Sequence, residues 1–281
     1  MTNLDLNLMQ DVLAVAEAAG RDIMAIYADA SRWAVQTKCD DSPLTAADVA
    51  AHHRIVAGLS ALASAWGQLP VLSEESSPSE LAERHDWSAC WVVDPLDGTK
   101  EFIARNGEFS VNIALVVNDA AVLGIVHGPA IGVSYVAAKG LGSFRVDASG
   151  WHRIHTAALP VRGERPIRLT VSRRHGLEQL RQFEQAISDN FGAVQSVPAG
   201  SAFKICAVAE GLADAYPRFG PTSEWDTAAA QVVLEEAGGH LLDKQGRPFC
   251  YNRRDTLLNA GFLAVGREPQ RWLSYWPAQP K

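Results

Sequence analysis

The chain has 281 residues, 47% of them hydrophobic and 20% charged, and a formal net charge of −7. These values place it among ordinary globular proteins, long enough for one large core or two packed domains, and exclude a disordered chain. No basic stripe offsets the negative charge and no apolar run reaches the length of a bilayer span, so long polyanions and a membrane-spanning role are excluded as well.

Asp5 and Asp11 stand where a secretory signal would carry positive charge, which makes a cytoplasmic setting the default, with peripheral association at the inner membrane left open. Apolar side chains at Met9, Val12, Leu13, Ala16, Ile23 and Ile26 follow the spacing of one helical face and predict an amphipathic helix from about Leu6 to Tyr27. Thr45 with Asp48 three residues on resembles a capping box and predicts a second helix running to about Trp66. Short apolar runs at Val71-Leu72 and Cys90–Val93, each ending in acidic residues, read as buried strands. Two more strands, Ser110–Val117 and Ala121–His127, flank Asn118-Asp119, a pair suited to a tight hairpin turn. Strand-like segments follow at Ser134–Ala138 and Gly142–Val146, and Gly and Pro between Gly140 and Pro166 mark a division near residue 160. Beyond it, Ile167–Val171 reads as a strand, and Leu177–Ile187 and Phe203–Glu210 as helices. A further helix is expected to be capped by Asp226 and ended by Gly238-Gly239. The fold class is therefore α/β in mixed layers, with residues 1–160 as an N-terminal α+β domain and 161–281 as a C-terminal α/β domain. Cys39, Cys90, Cys206 and Cys250 are too scattered for a metal pair or disulfide ladder and read as reduced, mostly buried thiols.

The run Asp94-Pro95-Leu96-Asp97-Gly98-Thr99 places two carboxylates at the end of an apolar strand, just before a Gly-Thr step. Carboxylates suit magnesium, which takes oxygen ligands, and a helix beginning at Gly98-Thr99 would point free N–H groups at a phosphate. An ordinary turn, with Asp97 as a cap, also explains the segment. Ser73-Glu74-Glu75-Ser76 ends the preceding strand and would crowd further acids beside Asp94, a costly arrangement unless cations relieve it; a solvated loop is the competing reading.

With Trp225-Asp226-Thr227-Ala228-Ala229, these motifs resemble the lithium-sensitive, magnesium-dependent phosphatase superfamily that includes the inositol monophosphatases. Thr99–Ile103, Asn106–Ser110 and Ala215–Thr222 resemble, within it, the bacterial 3′(2′),5′-bisphosphate nucleotidases of the CysQ type. The resemblance implies an αβαβα layered sandwich, cleaving a small phosphorylated nucleotide as monomer or homodimer. It implies one magnesium held by Glu74, Asp94 and the carbonyl of Leu96, a second by Asp94, Asp97 and Asp226, and an optional third held partly by Glu74. It assigns Asp48 and Thr99 to a hydrogen-bonded pair that orients and deprotonates the attacking water, although capping alone would also explain Asp48. Lys38 matches a position near the opening of the site, Gly98 and Thr99 would cradle phosphate, and Gly200, Ser201 and Lys204 resemble the family's ligand loop. The family often has a second serine where Ala202 stands.

Arg218 bears on substrate choice. Inositol monophosphatases usually carry Glu there, whereas a guanidinium favours a second phosphate. The leading expectation is hydrolysis of the 3′-phosphate of adenosine 3′,5′-bisphosphate, with its sulfated relative as a further substrate. An inositol monophosphatase and a nucleotide-binding sensor without turnover are the alternatives. His52 and His53 are adjacent on a helix and read as surface or packing residues.

Overall fold

The computed structural model describes residues 4–37, 43–62, 67–171 and 177–277. In chain order α1 (Leu6–Tyr27) leads through a small ribbon, β1 (Gln36–Thr37) and β2 (Pro43–Leu44), to α2 (Ala46–Ala61). Seven strands follow: β3 (Val71–Ser73), β4 (Ala89–Asp97), β5 (Ser110–Val117), β6 (Ala120–Gly128), β7 (Val133–Ala138), β8 (Gly142–Asp147) and β9 (Gly150–Arg153), with α3 (Thr99–Ile103) between β4 and β5. They form one sheet in sequence order, antiparallel except where β3 runs parallel to β4.

The second half supplies β10 (Ile167–Leu169), α4 (Leu177–Phe191), β11 (Val194–Ser196), α5 (Phe203–Ala209) and β12 (Ala215–Arg218). It continues with β13 (Thr222–Ser223), α6 (Ala228–Glu236), β14 (His240–Asp243), β15 (Leu258–Asn259), β16 (Phe262–Val265) and α7 (Pro269–Leu273). A five-stranded sheet has the order β11-β10-β12-β16-β14, and β13 pairs with β15 in a separate ribbon.

Three apolar cores separate five layers. On the outer face of the seven-stranded sheet, α1 and α2 bury Met9, Val12, Ile23 and Ile55 against Trp91, Val93, Ile113 and Ile125. The opposite face, bearing Leu72, Cys90, Val92 and Ala114, meets α5, α6 and the near face of the second sheet at Tyr216, Phe262 and Ala264. The far face of that sheet, with Leu169, Leu263 and Val265, is covered by Phe183, Ile187 and Phe191 of α4 and Trp272 of α7. Alternation along β16 sends Phe262 and Ala264 one way and Leu263 and Val265 the other, as the two-residue period of a strand requires. This is the αβαβα order, and its middle core draws on both halves of the chain.

Most sequence-derived elements recur with shifted ends. α1 matches the predicted span, and Asp5 caps it by accepting the N–H of Leu8. α2 stops at Ala61, short of the predicted end, because Leu62 turns to extended backbone; residues 63–66 lie outside those described. Asn118 and Asp119 take φ values of 47° and 69°, the left-handed pair a two-residue hairpin turn demands. β9 falls where a boundary segment was expected. Among the described cysteines, Cys90 and Cys206 are buried and Cys250 is exposed, all free thiols, while Cys39 lies outside the described residues. Among the described residues, no helix is long and apolar enough to cross a membrane.

One glycine sets how closely the middle layer sits. A Cβ on Gly124 of β6 would lie 2.2 Å from the carbonyl oxygen of Ala229, so only glycine lets the start of α6 rest on the sheet.

Candidate active site

Polar residues interrupt the apolar alternation at one edge of the middle core. Leu72 on β3 points into that core, and two residues later Glu74 follows, its N–H bonded to the Val93 carbonyl at 3.1 Å. On β4 the series Cys90, Val92 continues to Asp94, and on β5 Val116 and Ala114 continue to Asn112 and Ser110. Asp94 pairs with Asn112 across the ladder.

Asp97 reaches the same side through an irregularity. Three residues apart on a regular strand, Asp94 and Asp97 would face opposite ways. The register slips between them, Asp94 facing Asn112 and Asp97 facing Ser110, so three steps on β4 oppose two on β5. That extra residue restores the parity, and Pro95, which has no N–H for the ladder, lies within the interruption. A carboxylate oxygen of each of Asp94, Asp97 and Asp226 consequently lies within 4.8 Å of the others.

Asp226 arrives from the second half, though not as the cap of α6. It ends a 3₁₀ turn, Glu224–Asp226, and its Oδ2 accepts the N–H of Ser223 at 2.8 Å in a capping box. The cap position of α6 belongs to Thr227, whose side chain makes no capping bond. The short turn uses the carboxylate that was expected to start the longer helix. Gly238 does follow the last turn of α6, donating to the Glu235 carbonyl at 2.9 Å.

Asp48 serves two neighbours. Its Oδ2 accepts the N–H of Thr45 at 2.8 Å and the Thr45 hydroxyl at 2.5 Å, completing the box that starts α2. Its Oδ1 accepts the Thr99 hydroxyl at 3.3 Å, and Thr99 also lies 3.4 Å from the Leu96 carbonyl oxygen. The two readings of Asp48 thus coexist on different oxygens. Gly98, at φ 92°, turns the chain from β4 into α3, a conformation that favours glycine.

The electrostatics are one-sided at the strand ends. Asp94 is 1% exposed, and its carboxyl is pushed well above the usual range, first by burial and then by Glu74, Asp97, Asp226 and Asp48. Asp226 is raised by burial, Asp97 and Glu74, against the opposing influence of the Ser223 N–H and Arg218. No salt bridge to Asp94, Asp97 or Asp226 is formed among the described residues. The donor set is entirely carboxylate and carbonyl oxygen, which fits a hard divalent cation such as magnesium and not a soft metal.

A cleft of about 240 Å³ opens beside this cluster, lined by Asp97, Gly98, Gly200, Ser201, Lys204, Arg218 and Asp226. Ser201 donates its hydroxyl to Asp97 Oδ2, and Gly200 packs so closely on Glu108 that a Cβ would come within 2.6 Å of Glu108 Cβ. Lys204 donates to the Ser201 carbonyl at 2.8 Å and lies 5.6 Å from the Tyr216 ring centroid; burial lowers its pKa, with Asp97 opposing. Arg218 donates to the carbonyls of Gly220 at 3.3 Å and Pro221 at 3.1 Å. Ala202 is buried and precedes α5 without a side-chain capping bond. Lys38 lies outside the described residues.

Several residues of the site were given no role from sequence, although most of them belong to the motifs Thr99–Ile103 and Asn106–Ser110. Ser110 and Asn112 hold the acids: the Ser110 hydroxyl meets that of Ser201 at 2.5 Å and donates to Asn112 Oδ1 at 2.9 Å, and Asn112 Nδ2 donates to Asp97 Oδ2 at 3.4 Å. Polar residues on the buried parity of an apolar strand were the available signal. Lys100, Glu101, Asn106 and Glu108 line the cleft from the α3 side. His52 places its Nδ1 2.9 Å from the buried Ser73 hydroxyl, and its ring lies 5.6 Å from that of His53. Packing against Ser73 is thus its observed role.

Comparison with known proteins supplies independent bearings. The model of the inositol monophosphatase family matches residues 8–273. The 3′(2′),5′-bisphosphate nucleotidase CysQ of Escherichia coli (strain K12) is 43% identical over 255 residues, covering 91% of this chain and 98% of that protein. The CysQ of Haemophilus influenzae is 34% identical over 274 residues, 98% of each chain. Among solved structures, CysQ from Bacteroides thetaiotaomicron, described as a bacterial member of the inositol monophosphatase family, superposes with a TM-score of 0.79 at 36% identity, covering 94% of this chain and 99% of that one.

Proposed function

Because this chain belongs to the inositol monophosphatase family, we propose that it hydrolyses the 3′-phosphate of adenosine 3′,5′-bisphosphate to AMP and inorganic phosphate, and also accepts the 5′-phosphosulfate analogue. The observation that carries this reading is a single cleft lined both by the acids Asp97 and Asp226 and by the cations Lys204 and Arg218. Acids suit the cations that accompany a reacting phosphate, and the guanidinium suits a second phosphate that does not react. Under the same reading the chain divides near residue 160, the first part carrying most of the acids and the second carrying Asp226 and the recognition residues.

Glu74, Asp94 and the Leu96 carbonyl would hold one magnesium, and Asp94, Asp97 and Asp226 a second. When bound, the two supply positive charge that polarises the ester and makes water more acidic. The remaining work falls to the chain's own groups. Thr99, its hydroxyl proton directed at Asp48 Oδ1, can accept a hydrogen bond from the attacking water at Oγ. As the water oxygen bonds to phosphorus and the bond to the 3′ oxygen breaks, the water's proton passes through Thr99 toward the Asp48 carboxylate, and the departing 3′ oxygen takes a proton from solvent to become the hydroxyl of AMP. Thr45 fixes the other oxygen of Asp48, so the pair is oriented before substrate enters. Lys204 and Arg218 bind and orient the anion, and Ser201 with Asn112 keeps Asp97 pointed into the cleft.

The test is phosphate release from adenosine 3′,5′-bisphosphate and from inositol 1-phosphate, each with and without magnesium. Magnesium-dependent release with preference for the bisphosphate is expected. Preference for the inositol ester would overturn the role given to Arg218, and tight nucleotide binding without release would make the protein a sensor.

A further inference from the structure

We propose that an ion cluster, the buried Arg84 and Glu224 with the half-exposed Arg254, joined through Asn252 and Asn259, is a positioning device that sets the cation affinity of the site by fixing the turn that carries Asp226. The inference rests on the ligand role proposed above for Asp226.

Glu224 is fully buried two residues before Asp226. Its Oε2 accepts the backbone N–H of Asn252 at 2.6 Å, its Oε1 accepts Arg254 Nη2 at 3.1 Å, and its own N–H bonds to the Leu257 carbonyl at 2.9 Å. Arg254 Nη2 also donates to Asn259 Oδ1 at 2.7 Å. The amide of Asn259 then donates to the Ser223 carbonyl and the Thr227 hydroxyl, each at 2.9 Å. Ser223 and Thr227 bracket the 3₁₀ turn, and the Ser223 N–H is the group that Asp226 Oδ2 accepts. The direction of the Asp226 carboxylate is thereby tied, through the Ser223 peptide, to the segment 252–259.

That segment is held in turn by Arg84. Its Nη2 donates to the carbonyls of Arg254 at 2.6 Å and Asp255 at 2.7 Å, its Nη1 donates to Asn252 Oδ1 at 3.2 Å, and its carbonyl accepts Asn252 Nδ2 at 2.6 Å. Arg84 is 6% exposed and lies in the connection between β3 and β4, the same connection that opens with Glu74. The cluster is thus a clasp between the stretch beginning at Glu74 and the turn ending at Asp226, which come from opposite halves of the chain.

Stability alone does not account for it. A buried ion pair is often no better than apolar residues of the same volume, and Arg254 Nε is buried here without a partner. What the hydrogen-bonded set adds is direction, and groups that orient a metal's ligands typically alter affinity by about 10–100-fold.

The experiment is calorimetric titration of the full chain with magnesium alone, for the unaltered protein and for Glu224→Gln and Arg84→Lys, with melting temperatures recorded alongside. Both variants should weaken magnesium binding about tenfold, while turnover at saturating magnesium stays within about threefold of the starting value. Arg165→Lys is the control: it thins the pairing with the buried Asp214 and should lower the melting temperature without moving the magnesium midpoint. Unchanged magnesium affinity in a folded Glu224→Gln would overturn the proposal. If that variant does not fold, Arg84→Lys decides by the same reading, and failure of both to fold would make the cluster an element of global stability and end the proposal. The titration needs no substrate, so a chain that binds magnesium yet releases no phosphate defeats the proposed activity and leaves this inference standing.

Discussion

Asp94 and Asp214 are the same residue type, buried to nearly the same degree, and the chain treats them oppositely. Asp214 is 6% exposed and meets Arg165 at 2.6 Å, Arg168 at 3.1 Å and the Arg168 N–H at 2.8 Å, which together hold its carboxyl below the usual range despite burial. Asp94 is 1% exposed, accepts among the described residues only the N–H of Leu96 at 3.1 Å, and is pushed up by burial and by the acids around it. One carboxylate has its compensation built into the protein. The other is arranged for compensation from outside, and that absence of a built-in partner distinguishes a binding group from a structural one.

The comparison breaks most sharply at Asp94. Asp94→Asn keeps the shape and removes the central charge, so turnover should fall roughly 10³-fold, by analogy with loss of a key electrostatic group. Because the substitution also relieves repulsion, the melting temperature without magnesium should hold or rise, while the rise on adding magnesium disappears. Parallel loss of stability and activity would show that Asp94 is structural.

Asp214→Ala should do the reverse. Removing Asp214 unpairs two arginines that water can partly reach, so the cost should be about 2–3 kcal/mol, read from urea unfolding, with magnesium affinity unchanged in the folded fraction. A shifted magnesium midpoint would mean that the two regions are coupled.

His127 illustrates a third treatment of a buried titratable group, which is to stay neutral. Burial lowers its pKa to about 4, and its Nδ1 lies 2.8 Å from the Ser134 hydroxyl. The folded-state value lies below the unfolded value near 6.5, so its contribution to stability is complete above pH 6.5 and is lost as pH falls toward 4. Between pH 7 and pH 5 the loss should be about 2 kcal/mol in denaturant unfolding, and His127→Gln should flatten that part of the profile. An unchanged slope in the variant would assign the acid sensitivity to other groups.

The smallest effect is expected at Arg218, which lines the cleft. Arg218→Met should raise KM for the bisphosphate about tenfold, or ~1.4 kcal/mol, and change that for a nucleoside 3′-monophosphate much less. Equal changes for both would remove the second-phosphate reading.

Much of this division was legible in sequence where the signal is local. The periodicity of α1, the Thr45–Asp48 cap and the Asn118-Asp119 turn each depend on residues a few positions apart, and each was recovered. Two apolar runs ending in acids suggested that Glu74 lies beside Asp94, with a solvated loop as the competing reading, and the parallel pairing of β3 with β4 favours the first. The second sheet was harder. β12, β14 and β16 have four residues each and gain their order from partners far along the chain, and Pro217 within β12 argues against a strand. It is tolerated because only Ala215 of β12 pairs with β10. Asn112, and the role of Ser110 within the Asn106–Ser110 motif, escaped notice because alternation was read as a secondary-structure signal alone, and the Glu224 clasp because Arg84 finds its partners up to 171 positions away.

The slip in register on β4 makes chain length, more than side-chain identity, the stringent requirement there. Replacing Leu96 with another apolar residue leaves its carbonyl and both flanking aspartates where they are. Inserting one residue between Asp94 and Asp97, with the slip kept, would turn the second carboxylate to the face covered by α1 and α2, whereas deleting one would close the slip into regular pairing and remove the interruption that frees the Leu96 carbonyl. A mutational scan of this stretch should therefore tolerate many single exchanges at position 96 and reject every single-residue insertion.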